Sequence, residues 1–178
     1  MEFLKTVTQQ QIDKITTLIF DVDGILTDGH IGYGDTGNEI KFFHARDGLA
    51  IRFALRGNLK IGILSGRICP ANTHRFQELN VTFAYQGSHD KLETFRQLLQ
   101  EQNLTAEECL YMGDDIVDYP VMRRVGIGVT VPNGDSSLES IADIRTSNIG
   151  GNGAAREIIE FILKEQGKWS KVTEKYYL

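Results

Sequence analysis

Asp21 and Asp23 stand two residues apart in Phe20-Asp21-Val22-Asp23-Gly24-Ile25-Leu26-Thr27-Asp28, directly behind the apolar run Leu18-Ile19-Phe20. On an extended chain residues i and i+2 face one side, so the two carboxylates can converge on one point, and Gly24 lets the chain turn sharply behind them. Like charges about 4 Å apart repel by a few kcal/mol at an effective dielectric of about 20, so such a cluster implies a cation, a raised pKa, or both. More acid follows a second apolar stretch, Leu110-Tyr111-Met112, in Gly113-Asp114-Asp115-Ile116-Val117-Asp118. Carboxylates at two strand ends suggest a hard divalent metal, most simply magnesium.

Between the two clusters lie groups suited to an anion. Ser65-Gly66-Arg67 offers a hydroxyl, a glycine amide that can approach closely and a guanidinium, although a plain turn with a surface arginine reads the same way. Lys91 falls near the start of a helix that Ser88 is expected to cap, where the helix dipole disfavours cations. A cation set against that rule either has a task or is simply solvated. Together these groups fit phosphoryl transfer, which needs positioning and charge neutralisation above all. Asp21 would attack a phosphate monoester while the metal and Lys91 offset the repulsion, and Asp23 would protonate the leaving oxygen. The same Asp23, now ionised, would activate the water that hydrolyses the aspartyl phosphate.

The elements that must hold these residues are legible as apolar runs near Thr17 to Phe20, Leu59 to Leu64, Val81 to Tyr85, Leu110 to Met112 and Ile127 to Val129. Helical spacing separates them at Gly48 to Leu55, Ala71 to Leu79, Lys91 to Glu101 and, as the last helix, Ala154 to Lys164. The alternation predicts an α/β domain with a doubly wound, mainly parallel sheet, whose ligands bind beyond the carboxyl ends of the strands. Asp21, Ser65, Asp114 and Gln86-Gly87-Ser88 all follow apolar runs, so four loops should meet at one edge. The glycine-rich segment from Asp28 to Asp47 interrupts the pattern with two short β-like pieces, His30 to Tyr33 and Glu39 to Phe43, and reads as a hairpin inserted over about 29–46. Its Gly32-Tyr33-Gly34-Asp35-Thr36-Gly37 matches a dinucleotide fingerprint formally, but no helix follows it directly.

At 178 residues one domain spanning 1–178 is expected. A net charge of -5 argues against a nucleic-acid partner and for a small molecule. No run of about 18 apolar residues suggests a membrane span, and the first residues lack the order of a signal peptide, so a soluble, cytoplasmic protein is expected. Cys69 and Cys109 have no ligand spacing and read as ordinary thiols. The four histidines share none either, His44 being the best placed for a pocket because it lies in the hairpin.

Asp21-x-Asp23-Gly24 with Thr27, Ser65-Gly66-Arg67, Lys91 and Gly113-Asp114-Asp115-x-x-Asp118 follow the order of the four motifs of the haloacid dehalogenase superfamily, which the chain resembles over most of its length. With the hairpin's Lys41-x-Phe43-x-x-Arg46-Asp47-Gly48 and the stretch Gly150-Gly151-Asn152-Gly153-Ala154-Ala155-Arg156-Glu157, it is similar more narrowly to the capless family of phosphatases acting on 3-deoxy-D-manno-octulosonate 8-phosphate. That resemblance implies a haloacid dehalogenase-like fold without a cap domain, a bound Mg2+, an acidic sugar phosphate as substrate, a role in lipopolysaccharide inner-core sugar synthesis and a homotetramer formed through the hairpin. By position it makes Asp21 the nucleophile and a metal ligand, Asp23 the acid/base whose backbone carbonyl also binds metal, and Asp114 the third protein ligand. Asp115 would act behind the ligands or through water, and Asp118 would orient the cluster or be a helix-start acid. Ser65, Gly66 and Lys91 would hold phosphate; Thr27, Arg46, Asp47, Arg67 and Arg156 would border the substrate.

Arg156 stands in the first turn of its helix, the same wrong-sign placement as Lys91, at a glycine-rich start whose amides could bind an anion or form a simple junction. The tail after Gly167 has aromatics but no pattern that assigns it a role. A phospho-accepting receiver module uses similar groups in another order, without a second acidic cluster. A calcium-binding scaffold would not need Ser65 and Lys91. Among enzymes, a phosphatase for a nine-carbon, sialate-type 9-phosphate would share every catalytic group.

Overall fold

Alternation of strand and helix runs through the computed structural model, which describes residues 1–178. In chain order the elements are β1 (Glu2–Phe3), α1 (Gln9–Lys14), β2 (Thr17–Phe20), β3 (Gly32–Tyr33), β4 (Glu39–Ile40), α2 (Ala45–Arg56), β5 (Lys60–Leu64), α3 (Pro70–Leu79) and β6 (Phe83–Tyr85). They continue with α4 (Lys91–Gln102), β7 (Cys109–Met112), α5 (Tyr119–Met122), β8 (Ile127–Thr130), β9 (Ile144–Arg145), α6 (Ala154–Glu165) and α7 (Trp169–Thr173).

Because strand side chains alternate, the central strands feed two cores at once. Leu18, Phe20, Ile61, Ile63, Leu110 and Met112 pack on one face under α1, α2, α3, α6 and α7. Ile19, Leu64, Cys109 and Tyr111 pack on the other with Phe95 and Leu98 of α4 and Val121 and Met122 of α5. Both faces are therefore covered, the doubly wound arrangement expected of near-continuous apolar strands.

The sheet order is β1-β9-β8-β7-β2-β5-β6, parallel throughout except for the β1–β9 pair. From β2 the chain winds outward through β5 and β6, then returns to the other side of β2 as β7. That reversal puts the topological switch point between β2 and β7, whose carboxyl ends carry Asp21 and Asp114.

Several boundaries differ from expectation. The N-terminal strand β1, its partner β9 and helices α1 and α7 carry too little apolar periodicity to be seen, being two to six residues long. Helix α6 is not the last helix, since α7 packs behind it through Trp169 and Val172. The hairpin pairs only Gly32 with Ile40 and Tyr33 with Glu39; Lys41 and Phe43 leave the ladder. Helix α2 begins at Ala45, earlier than the spacing from Gly48 suggests. Both cysteines are free and buried, and no helix is long and apolar enough to cross a membrane.

Candidate active site

Register places the chemistry. Phe20 lies opposite both Ile63 and Met112, so Asp21 emerges between the ends of β5 and β7. Its amide donates to Met112 O at 3.0 Å, and the Ser65 amide donates to Tyr85 O at 2.9 Å, so the end of β2 is tied to that of β7 and the end of β5 to that of β6. Beyond Asp21 the carbonyl of Val22 accepts the amides of Ile25, Leu26 and Thr27, which curls the loop, whereas the carbonyl of Asp23 accepts no backbone amide. Gly24 sits at φ +86°, and a Cβ there would lie 1.8 Å from Asp114 Oδ2, so only glycine lets the two acidic loops meet.

Carboxylate oxygens of Asp21, Asp114 and Asp118 lie within 4.8 Å of one another. Lys91 is the cation among them. Its Nζ is 2.9 Å from Asp21 Oδ2 and 2.5 Å from Asp118 Oδ1, and the side chain is only 4% exposed. Asp118 is fully occupied: Oδ1 also accepts from Tyr111 Oη at 2.5 Å, and Oδ2 accepts the amides of Asp114 and Asp115 at 3.0 and 3.1 Å. Asp114 is different, because its Oδ1 is buried with no hydrogen-bond partner at all. An orphaned carboxylate oxygen beside a second carboxylate fits a hard cation, so Asp21 and Asp114, with the free carbonyl of Asp23, suit magnesium.

The electrostatics agree. Burial, only partly offset by Lys91, raises Asp21 to about 6. Burial together with the charge of Asp21 raises Asp114 to about 7. Burial works to lower Lys91, but Asp21 and Asp118 outweigh it and hold the lysine above its usual value. In a metal-free protein the fold thus binds protons at Asp21 and Asp114 that the unfolded chain, near 3.8, has released. Stability is present below the unfolded value and is lost as pH rises through 6 and 7. With the half-buried Asp114 discounted for solvent screening, the loss between pH 5 and 7.5 is about 2 kcal/mol. Denaturant midpoints in a chelator at the two pH values measure it, and saturating magnesium, at a hundred times its Kd, is expected to return about 2.7 kcal/mol at the higher one. A midpoint that rises across this window would contradict the arrangement.

The other residues singled out in the sequence divide into two groups. Ser65 is buried with its Oγ accepting the Arg67 amide at 3.3 Å, Gly66 is exposed beside it, and Thr27 Oγ1 lies 3.5 Å from Asp23 Oδ1. Arg67 turns to Glu39 of the hairpin. Asp115 is exposed and its Oδ1 accepts the Ile116 amide at 2.7 Å, a capping bond. Arg46 and Arg156 instead line a cavity of about 400 Å³ with Asn152 and Lys164, which none of the clustered carboxylates borders. Asp47 is buried and accepts the Gly153 and Arg156 amides at 3.3 and 2.8 Å, capping α6, while His44 Nδ1 is 4.0 Å from it. The guanidinium of Arg156 lies over the rings of Phe53 and Trp169, which accounts for its position in the first turn.

The helix bearing Lys91 is capped by Asp90, whose Oδ1 accepts the Leu92 and Glu93 amides, and not by Ser88. Ser88 Oγ pairs with Thr94 Oγ1 at 2.7 Å. Gly150 presses on the loop after Asp21 so closely that a Cβ would lie 1.6 Å from Gly24 O. Lys41, in the sequence only one member of the hairpin motif with no role of its own, donates from Nζ to Asp23 Oδ1; nothing local to the hairpin signals that contact.

Comparison with known proteins matches this geometry to a lineage. A profile of the haloacid dehalogenase-like hydrolases matches residues 69–158. Over 165 residues the chain is 39% identical to the 3-deoxy-D-manno-octulosonate 8-phosphate phosphatase of Salmonella typhi, covering 93% of this chain and 88% of that one. Over 156 residues it is 41% identical to the enzyme of the same name from Escherichia coli (strain K12), covering 88% and 83%. The crystal structure of 3-deoxy-D-manno-octulosonate 8-phosphate phosphatase from Moraxella catarrhalis, in complex with magnesium ion, phosphate ion and a KDO molecule, superposes with a TM-score of 0.91 at 34% identity, over 94% of this chain and 97% of that one. The corresponding phosphatase from Yersinia pestis gives 0.87 at 38% identity, over 90% and 87%. The chain therefore belongs to the haloacid dehalogenase-like hydrolases and, within them, to the family of 3-deoxy-D-manno-octulosonate 8-phosphate phosphatases.

Proposed function

We propose that this protein is the magnesium-dependent phosphatase that removes the phosphate of 3-deoxy-D-manno-octulosonate 8-phosphate, in the synthesis of the inner-core sugar of lipopolysaccharide. The observation that carries the chemistry is the buried Asp21–Lys91–Asp118 chain set beside the orphaned Asp114 oxygen. Kinship with phosphatases of that name supports the substrate.

In this reading Asp21, Asp114 and the Asp23 carbonyl would hold magnesium, which when bound would neutralise phosphate charge. Asp21 attacks phosphorus. Lys91, fixed by Asp118, holds a phosphoryl oxygen and keeps Asp21 ionised, while the Ser65 hydroxyl and Gly66 amide receive the others. Asp23, the less buried acid of the pair, protonates the departing alcohol and then takes a proton from the hydrolytic water. Thr27 steadies Asp23, and Arg67 faces the sugar end of the substrate. Asp115 and Asp47 serve as caps for the loops that carry the site, and Arg46 and Arg156 act outside the phosphate centre.

The exposed apolar side chains of the hairpin, Ile31, Tyr33, Ile40 and Phe42, favour an assembly of this chain, a homotetramer through the hairpin. As an enzyme of sugar phosphate metabolism, the protein acts in the cytoplasm. One preparation tests both points. Magnesium-dependent phosphate release is compared between the eight-carbon 8-phosphate, a sialate-type 9-phosphate and simple sugar phosphates, and the same sample is sedimented. Preference for the eight-carbon acid by at least tenfold in kcat/KM, from a tetramer, is the expected result. Preference for another phosphate would move the substrate, and a monomer would remove the assembly.

A further inference from the structure

Lys41 lies just past β4, next to an exposed Phe42, yet its side chain is wholly buried at 0% exposure. Its Nζ donates to Oδ1 of Asp23 and lies 3.9 Å from Glu39 Oε2. Glu39 Oε1 in turn accepts from Arg67 Nη2, so a charged chain Asp23–Lys41–Glu39–Arg67 joins the nucleophile loop, the hairpin and the loop after β5. Thr27 Oγ1 reaches the same Asp23 Oδ1. None of the steps assigned to Asp21, Asp23, Ser65, Gly66 and Lys91 uses this cation, and a fully buried ammonium persists only where its partners compensate its desolvation.

We propose that Lys41 is a positioning residue for Asp23: by engaging Oδ1 it fixes the carboxyl plane, so that Oδ2 alone carries the proton to and from the substrate. This rests on the reading of Asp23 as the acid/base. In the first step a bond forms between an Asp21 carboxylate oxygen and phosphorus. The bond from phosphorus to the ester oxygen breaks, and that oxygen takes its electron pair and the proton of Asp23 Oδ2. In the second step the oxygen of water bonds to phosphorus, its proton goes to Oδ2, and the bond to Asp21 breaks to release phosphate. Without Lys41 the Asp23 carboxyl can turn about its Cβ–Cγ bond, and Oδ2 is no longer held toward the leaving oxygen.

The test compares Lys41→Met, Asp23→Asn and the double variant on the sugar 8-phosphate and on p-nitrophenyl phosphate, whose leaving group departs without a proton. Lys41→Met is expected to lower kcat/KM, which reports the first transfer alone and not the hydrolysis common to both substrates, on the order of 30-fold on the sugar phosphate, less than the roughly 10²–10⁴-fold that a general acid itself contributes, and by less than about threefold on p-nitrophenyl phosphate. In the Asp23→Asn background it should add no further loss. Lys41→Leu serves the same comparison if Lys41→Met fails to fold, and Lys41→Gln, which keeps a donor without the charge, should recover part of the lost kcat/KM. Equal losses of kcat/KM on both substrates, additive losses in the double variant, or full wild-type kcat/KM on the sugar phosphate would each overturn the assignment alone. Wild-type protein inert on both substrates would overturn the functional reading and this assignment with it.

Discussion

Asp21→Asn is expected to abolish turnover, by at least about 10⁴-fold, and to leave a folded protein no less stable than wild type in chelator at pH 7.5. The amide keeps the volume at the end of β2 but cannot attack phosphorus, so no aspartyl phosphate forms and the two-step route is closed. The stability half of the expectation follows from burial, which already raises the Asp21 carboxyl to about 6, so that its charge at pH 7.5 opposes the fold. Phosphate release and a denaturant titration on one sample read both halves. Turnover retained would end the covalent mechanism, whereas a collapse in stability would make Asp21 structural.

Lys91→Met has the opposite profile, with activity and stability lost together. Removing the ammonium leaves carboxylate oxygens of Asp21, Asp114 and Asp118 within 4.8 Å of one another and no cation between them. Breaking a buried ion pair by deleting one partner costs about 3–5 kcal/mol, and loss of a donor to the phosphoryl oxygens costs a further 10²–10³-fold or so in rate. Magnesium should recover part of the stability, since it brings positive charge back to Asp21 and Asp114, but not the rate, because the phosphoryl donor is still missing. A midpoint within about 1 kcal/mol of wild type in chelator would show that Asp21 and Asp114 simply take up protons.

Much of this site could be read from the chain because its residues stand at strand ends, where apolar runs announce themselves. Asp21, Ser65 and Asp114 each follow such a run, and the sheet register brings them to one edge. What stayed hidden depends on contacts distant in sequence. Asp118 could have been an ordinary helix-start acid; its role as the hub for Lys91, Tyr111 and two amides exists only because α4 packs against β7 and α5. Lys41 is a single cation in a glycine-rich hairpin, and only the fold turns it toward Asp23. Strand β9 is held by pairing with β8 and β1 by pairing with β9, not by any pattern of their own. Arg46, Asp47 and Arg156 share a neighbourhood, but it is the start of α6 and its cavity, so their motif records how a helix is anchored as much as how a sugar is held.

The close seat of Gly150 on Gly24 also bears on how the molecule is made. A ribosome adds about 5–20 residues per second, so Asp21 emerges roughly ten seconds before the segment that clamps its loop. Early in that interval β2, destined for the middle of the sheet, has neither neighbour, since β5 is complete only at Leu64 and β7 only at Met112. The nascent chain thus exposes a strand of four apolar or β-prone residues early and closes its reactive centre only after the Gly150 segment has been added, which makes chaperone capture most valuable before residue 112.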